Sequence, residues 1–287
     1  MTKIAELLDQ GKTLSFEFFP PKTDKGRDRL RETITELEPL EPSFTSVTYG
    51  AGGSTRERTV DAVTELNESD SITVMPHLTC IGHTREELTE LVGAYGRQGI
   101  QNVLALRGDP PKDAPDMEPG DLERAAELVE LVREVGDFSV GVAAHPEGHP
   151  LAPDMESDRQ HQAAKLKVAD FGVTQFFFRV EDYLRFVDEM ERRGVETPII
   201  AGVIPITDAN QIQRFAAMSG ADMPSELVER LDAHADDPDE VRRIGVDVAT
   251  ELSDRLLAEG APGLHIYTLN RAEAPRAVHE NLELVAA

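Results

Sequence analysis

The chain has 287 residues, 40% of them hydrophobic, with 29 basic against 54 acidic side chains and a net charge of −25. That balance excludes nucleic acid and anionic membrane as partners, because phosphate repels such a surface, and it otherwise reads as solvated exterior. The single cysteine, Cys80, excludes a disulfide framework and a cysteine metal cluster. No apolar run reaches the roughly 18 residues of a membrane span, so a soluble, cytoplasmic protein is expected.

After a short amphipathic N-terminal helix, brief apolar runs alternate with amphipathic stretches. The runs predict strands at Leu14–Phe19, Phe44–Thr48, Thr73–Leu78, Asn102–Leu106, Ser139–Ala143, Val173–Phe177, Ile199–Val203 and Leu264–Tyr267. The helical pattern covers Lys25–Leu37, Thr55–Asn67, Arg85–Gln98, Asp121–Glu134, Asp158–Ala169, Val180–Arg193, Asn210–Met218 and Asp239–Glu259. Ser54/Thr55, Thr84 and Asp208 read as N-caps, and Gly99, Gly136, Gly194 and Gly260 as helix ends. A further short helix, Ser225–Leu231, and an acidic loop, Asp232–Asp239, precede the last strand. Eight strands alternating with eight helices predict an α/β chain folded as a single (β/α)8 TIM barrel over residues 1–287. No Gly-x-Gly-x-x-Gly follows a strand, which speaks against an open dinucleotide-binding sheet.

Barrel enzymes gather their chemistry at the C-terminal ends of the strands, and polar residues collect there. The first strand carries Glu17 on one face with Ser15, while Phe16 and Phe18 alternate onto the other. A carboxylate in this aromatic setting is expected to hold its proton more tightly, as a general acid must; the competing reading is a structural Glu paired with a buried Arg. The second strand ends in a glycine loop, Thr48-Tyr-Gly-Ala-Gly-Gly-Ser, a weak signal for close approach to a phosphate or ring. The third ends at His77, the fourth at Arg107-Gly108-Asp109 before a Pro-rich loop, and the fifth runs into His145-Pro-Glu147-Gly-His149. His77, His145, Glu147 and His149 admit a metal site and a non-redox hydrolase or lyase, but no His-x-His or ligating Lys lies on an early strand, so no metal is expected. The Phe176–Phe178 run reads as core, whereas the amide of Gln175 beside it needs partners if buried.

Six blocks now stand in order along nearly the whole chain: Phe16-Glu-Phe-Phe-Pro-Pro, Ser46-Val-Thr-Tyr-Gly-Ala, His77-Leu-Thr-Cys, Leu104-Ala-Leu-Arg-Gly-Asp, Thr174-Gln-Phe-Phe-Phe and Tyr267-Thr-Leu-Asn-Arg. Together they resemble the methylenetetrahydrofolate reductase family, in the form of its catalytic barrel alone, as in prokaryotic members. The resemblance implies reduction of 5,10-methylenetetrahydrofolate to 5-methyltetrahydrofolate, which supplies methyl groups for methionine synthesis. The hydride comes from NADH or NADPH, carried in most members by FAD. It implies that Glu17 is the acid that protonates N10 and opens the ring to a 5-iminium ion, and that Asp109 lies near the pterin and the developing charge. Gln175, Gln211 and Phe215 match residues at the folate and nicotinamide face, and Arg271 one placed for the glutamate tail. The partners implied are therefore small molecules, with a homo-oligomer open.

On the flavin side, Thr48, His77, Arg107, Gly108, Asp109 and His149 match cofactor-contacting positions, and His145 stands where the family usually has a tyrosine. Counting back from Gln175, the helix positions that usually grip the ribityl chain and diphosphate are Ser157, Gln160, Ala163 and Ala164. Loss of two cations there removes charge-assisted bonds worth roughly 1.5–3 kcal/mol each, unless a local shift brings Lys165 or Lys167 into place. On this count direct hydride transfer is slightly favoured over a relay through FAD.

Overall fold

The eight strands are parallel, follow one another round the sheet in chain order, and close with the last against the first. They are β1 (Thr13–Phe18), β2 (Phe44–Val47), β3 (Val74–Thr79), β4 (Asn102–Leu106), β5 (Ser139–Ala144), β6 (Phe171–Thr174), β7 (Ile199–Val203) and β8 (Gly263–Tyr267). The structure, a computed structural model, describes residues 2–49, 56–67, 72–110 and 118–282. The glycine loop, the Ser54/Thr55 cap and most of the Pro-rich loop after Asp109 lie outside the described residues.

Helix α1 (Ile4–Gln10) precedes the barrel, and α2 (Asp24–Leu37), α3 (Arg56–Asn67), α4 (Arg85–Arg97), α5 (Ala125–Val135), α6 (Met155–Val168) and α7 (Val180–Arg192) follow β1 to β6 in turn. Three helices, α8 (Ala209–Ser219), α9 (Ser225–Asp232) and α10 (Pro238–Ala258), separate β7 from β8, and α11 (Glu273–Asn281) follows β8. Two expected caps are formed: Thr84 makes a reciprocal capping box with Glu87, and Asp208 accepts from the Gln211 amide. Among the described residues no helix is long and apolar enough to cross a membrane.

The alternation of the strands sorts the side chains into two cores. Outward residues such as Phe16, Phe18, Leu78, Val103 and Val142 pack beneath the helices. Inward residues fill the barrel, with Phe44, Met75, Leu104, Phe171, Val173 and Ile200 forming an apolar floor. Ile4 of α1 joins that floor fully buried, its amide capped by the Asn102 side chain at 2.8 Å.

Four elements differ from expectation. Helix α5 begins at Ala125, four residues later than the pattern predicted, and the Asp121 carboxylate instead accepts from the Arg85 amide at the start of α4. Strand β6 starts at Phe171 and stops at Thr174, because Phe176 and Phe178 leave the ladder to enter a satellite core with Ile204, Ile212 and Ile244. Helix α6 begins at Met155, three residues early, since the Asp154 carboxylate caps it by accepting from the Ser157 amide. Helix α11 is absent from the sequence reading: nine residues with a proline at the third position carry little periodic signal.

One close approach fixes α10 against the barrel rim. A Cβ built on Gly245 would lie 1.9 Å from the Ile206 carbonyl oxygen, so only glycine fits. Gly245→Ala is expected to cost about 1–3 kcal/mol or more through overpacking, read as a lower urea midpoint at unchanged slope.

Candidate active site

The inward positions nearest the C-terminal mouth carry polar groups where the floor below carries apolar ones. Pairing sets Glu17 of β1 level with Ser46 of β2 and Tyr267 of β8, and Ser15 level with His265. Glu17 is only 7% exposed. Its Oε2 lies 3.5 Å from His77 Nε2 and 3.4 Å from His265 Nε2. The backbone of Glu17 is held from β8, its carbonyl accepting from the Thr268 hydroxyl at 2.6 Å and the Thr268 amide at 3.2 Å. Asn270 completes the clasp with two side-chain bonds to the Phe19 backbone, at 2.8 and 2.9 Å. Leu269 and Asn270 adopt left-handed conformations at φ 51° and 56° to make this turn.

This corrects the aromatic setting expected for Glu17. Phe16 and Phe18 face the helices, while Glu17 looks into the barrel at imidazoles and hydroxyls. Among the described residues no arginine pairs with it. Burial pushes His77 down to about 4, the charge of Glu17 offsetting only part of that, so His77 is neutral at pH 7.

A second group forms around the loop from β5 to α6. The His145 and His149 rings meet edge to face at 4.7 Å. Burial lowers both imidazoles, and Lys165 adds to the effect on each. His149 accepts from the Leu151 amide at Nδ1, which leaves its proton on Nε2. Arg159, itself buried, fastens the loop by donating to the carbonyls of His145 and Pro146, and pairs with Asp158 and Glu189. The half-buried Glu147 is raised to about 7 by burial and accepts from the Asp222 amide, joining this loop to the turn before α9.

Helix α6 presents Asp158, Gln162 and Lys165 to this loop, residues spaced four and three apart on one face. The positions counted back from Gln175 are one residue out of phase. Ala163 packs into the outer core, Gln160 bonds Glu156 at the surface, and Ala164 is exposed. Lys167 is exposed, whereas Lys165 is half-buried and pushed down to about 8 by burial, with Asp158 opposing. The buried Gln162 Oε1 has no partner among the described residues.

The other expected residues ring the same mouth. Arg107 and Asp109 are exposed beyond β4, where Gly108 at φ 81° turns the chain, and both charges act on His149 across the gap. Thr48 follows β2 directly, its amide bonded to the Phe18 carbonyl. Gln175 is half-buried after β6, its side-chain oxygen accepting only from the Phe176 amide. Gln211 and Phe215 stand one turn apart on α8, and Arg271 is exposed after the clasp from β8. The three histidines considered for a metal do not converge: His77 lies with Glu17, apart from the His145–His149 pair, and no three metal-binding side chains gather among the described residues. The sequence reading missed His265, and it named Tyr267, Thr268 and Asn270 only within a block, with no role for any of them. The inward alternation of His265 and Tyr267 on an otherwise apolar strand was the available signal.

A parallel barrel with a buried carboxylate between imidazoles at its C-terminal mouth, beside a loop faced by a half-buried lysine, has the layout of the (β/α)8 enzymes. Known proteins narrow the class. A profile of the methylenetetrahydrofolate reductase family matches residues 3–283. The 5,10-methylenetetrahydrofolate reductase of Pectobacterium carotovorum is 40% identical over 283 residues, covering 97% of this chain and 92% of its own. That of Escherichia coli is 38% identical over 272 residues, covering 94% and 90%. The plant methylenetetrahydrofolate reductase (NADH) 1 of Arabidopsis thaliana is 35% identical and covers 99% of this chain with 50% of its own. A Clostridium thermocellum protein described as binding two copies of 5-methyl-5,6,7,8-tetrahydrofolic acid shares the fold, at TM-score 0.69, 15% identity and 97% and 96% coverage. The chain belongs to the methylenetetrahydrofolate reductase family, oxidoreductases of folate one-carbon metabolism.

Burial of His77 makes stability depend on pH. The ring titrates near 6.5 when unfolded and about 4 when folded, so the unfolded chain takes up the proton first. Its contribution of about 3 kcal/mol is present above pH 6.5 and is lost as pH falls from there to 4. Urea titrations across that window should show a shallower decline for His77→Gln than for the native chain.

Proposed function

We propose that this mouth reduces 5,10-methylenetetrahydrofolate to 5-methyltetrahydrofolate, the hydride coming from NADH or NADPH, and that Glu17 is its acid. The observation that carries this reading is a carboxylate shielded from water, fixed from β8 and in contact with two imidazoles at the strand ends. NADH is favoured by the names of the plant relatives. The reading is of a cytoplasmic enzyme whose partners are these small molecules.

The steps follow from the residues. Glu17 delivers its proton to N10 of the folate, whose C–N bond to the bridging methylene breaks with its electron pair going to N10. The methylene remains on N5 as an iminium cation, and a hydride at that carbon completes the methyl group. Asp109 beyond β4 supplies negative charge toward the developing cation. Gln175 offers an amide to the pterin, with Gln211 and Phe215 on α8 lining the ring face and Arg271 drawing the glutamate tail. His77 stays neutral, so it sets no positive charge beside the iminium.

The residues present also fit FAD. Lys165 supplies a cation beside His149, Asp158 an acceptor, and the unpartnered Gln162 Oε1 a further acceptor for a ribityl hydroxyl. Thr48, His77, Arg107, Gly108, Asp109, His145 and His149 would line the rest of the cradle. When bound, the flavin supplies a two-electron relay between nicotinamide and folate. Lys165 on the inner face of α6 thus tilts the balance back toward the relay and away from direct transfer.

Two experiments test this. Glu17→Gln should lower the rate of methylenetetrahydrofolate reduction about 10²- to 10⁴-fold, the usual range for a lost general acid, and full activity would end its assignment. A visible spectrum after adding FAD and desalting should show a retained flavin band. Lys165→Met should weaken retention roughly 10- to 100-fold, as expected for one charge-assisted bond to a diphosphate. A colourless native protein that still oxidises NADH with the folate would establish direct transfer.

A further inference from the structure

His265 touches Glu17 but has been given no role of its own, and with Ser15 and Ser46 it is fully enclosed at the centre. It is fully buried, stacked on Phe44 at 5.8 Å and met by the edge of Tyr267 at 5.6 Å. Both ring nitrogens are engaged. Nδ1 lies 2.7 Å from Ser15 Oγ, and Nε2 lies 3.2 Å from Ser46 Oγ and 3.4 Å from Glu17 Oε2.

A count of protons constrains this arrangement. Ser15 has one hydroxyl proton and two neighbours, and the Leu264 carbonyl at 3.1 Å can only accept; a proton given to that carbonyl leaves the Ser15 oxygen to His265 as an acceptor. In that arrangement the imidazole proton sits on Nδ1. In a neutral ring Nε2 is then a bare lone pair, which the Ser46 hydroxyl satisfies. An ionised Glu17 oxygen at 3.4 Å would set a second lone pair against it, in an enclosure where water relieves neither. A proton between the two, on either atom, turns repulsion into a charge-assisted bond.

We propose that His265 is the positioning residue of the acid: it holds the proton that Glu17 delivers, so the pair carries one proton more than a carboxylate beside a neutral imidazole. This rests on the reading of Glu17 as the acid. The other groups facing the pair do not take this place. His77 on β3, neutral through burial, lies 3.5 Å from the same oxygen, and its Nε2 has no hydrogen-bond partner among the described residues. The Tyr267 hydroxyl spends its proton on the Thr174 carbonyl at 2.8 Å. Among the described residues no Lys or Arg pairs with Glu17. In this scheme the folate takes the shared proton, His265 is left neutral with its proton on Nδ1, and the next proton from solvent restores the pair.

The first test uses the native protein and needs no turnover. Nitrogen-15 shifts of labelled histidine, assigned with His265→Gln, report which ring nitrogens carry protons. An infrared difference against Glu17→Gln reports whether that carboxyl is protonated. The expected result at neutral pH is a proton on Nδ1 together with either a proton on Nε2 or a protonated Glu17 carboxyl. A ring protonated on Nε2 alone beside an ionised carboxylate overturns the proposal.

The second test is kinetic. His265→Gln should reduce kcat for the folate about tenfold or more at little change in KM, and move the alkaline limb of the pH profile to lower pH. Ser15→Ala, which removes the acceptor of Nδ1–H but keeps the ring, should move that limb the same way by less. An alkaline limb unmoved in both variants overturns the proposal, and the spectra of the native chain decide alone should neither variant fold. Full activity in Glu17→Gln would instead sink the acid reading, an outcome distinct from the proton count on His265.

Discussion

The seam between β8 and β1 is the contact on which the active mouth depends. It closes the sheet, and it also supplies most of what surrounds Glu17: the imidazole of His265, the Tyr267 ring, the Thr268 clasp and the Asn270 side chain. Parallel pairing makes this arrangement rigid. A slip of one residue would turn Ser15 and Glu17 outward and bring Phe16 and Phe18 into the barrel, so the desolvation cost of burying Glu17 against the helices enforces the register. The same alternation that builds the core therefore aims Glu17.

Charge is arranged on two scales. The surface as a whole is acidic, yet folates and nucleotides are anions, and a repulsive exterior slows their approach. The mouth answers this locally, with Arg107 and Arg271 exposed on its rim and Lys165 set deeper beside His149. Burial that lowers Lys165 also marks it as a cation awaiting an anion, because a diphosphate alongside would favour its charged form. The buried Arg159 plays a different part: with its charge spent on Asp158 and Glu189, it holds the loop of His145 and His149 in shape.

Much of the barrel was legible because each strand is a short apolar run and each helix a periodic one. The eight strands lie where those runs predicted them, except β6, where three consecutive phenylalanines imitate a strand while filling a neighbouring core. The mouth residues Glu17, His77, Asp109, Gln175 and Arg271 were legible as polar breaks at strand ends. Less visible was the phase of α6. Lys165 and Ala164 are adjacent in sequence, and only the rotation of the helix tells which faces the loop. The clasp was hidden for a different reason: Thr268 and Asn270 act on the backbone of a strand some 250 residues away, and no local pattern encodes such a partner.

That separation in sequence has a consequence for how the protein comes into being. Contacts spanning 250 residues rank among the slowest to form, since a long loop must close before they contribute. On the ribosome, a nascent chain halted before β8 would display Glu17 without its histidine or its clasp, on a sheet with two open edges. The surroundings of Glu17 and the closed barrel thus mature in a single event, and a chain interrupted late in synthesis is exposed to edge-to-edge association until the final strand arrives.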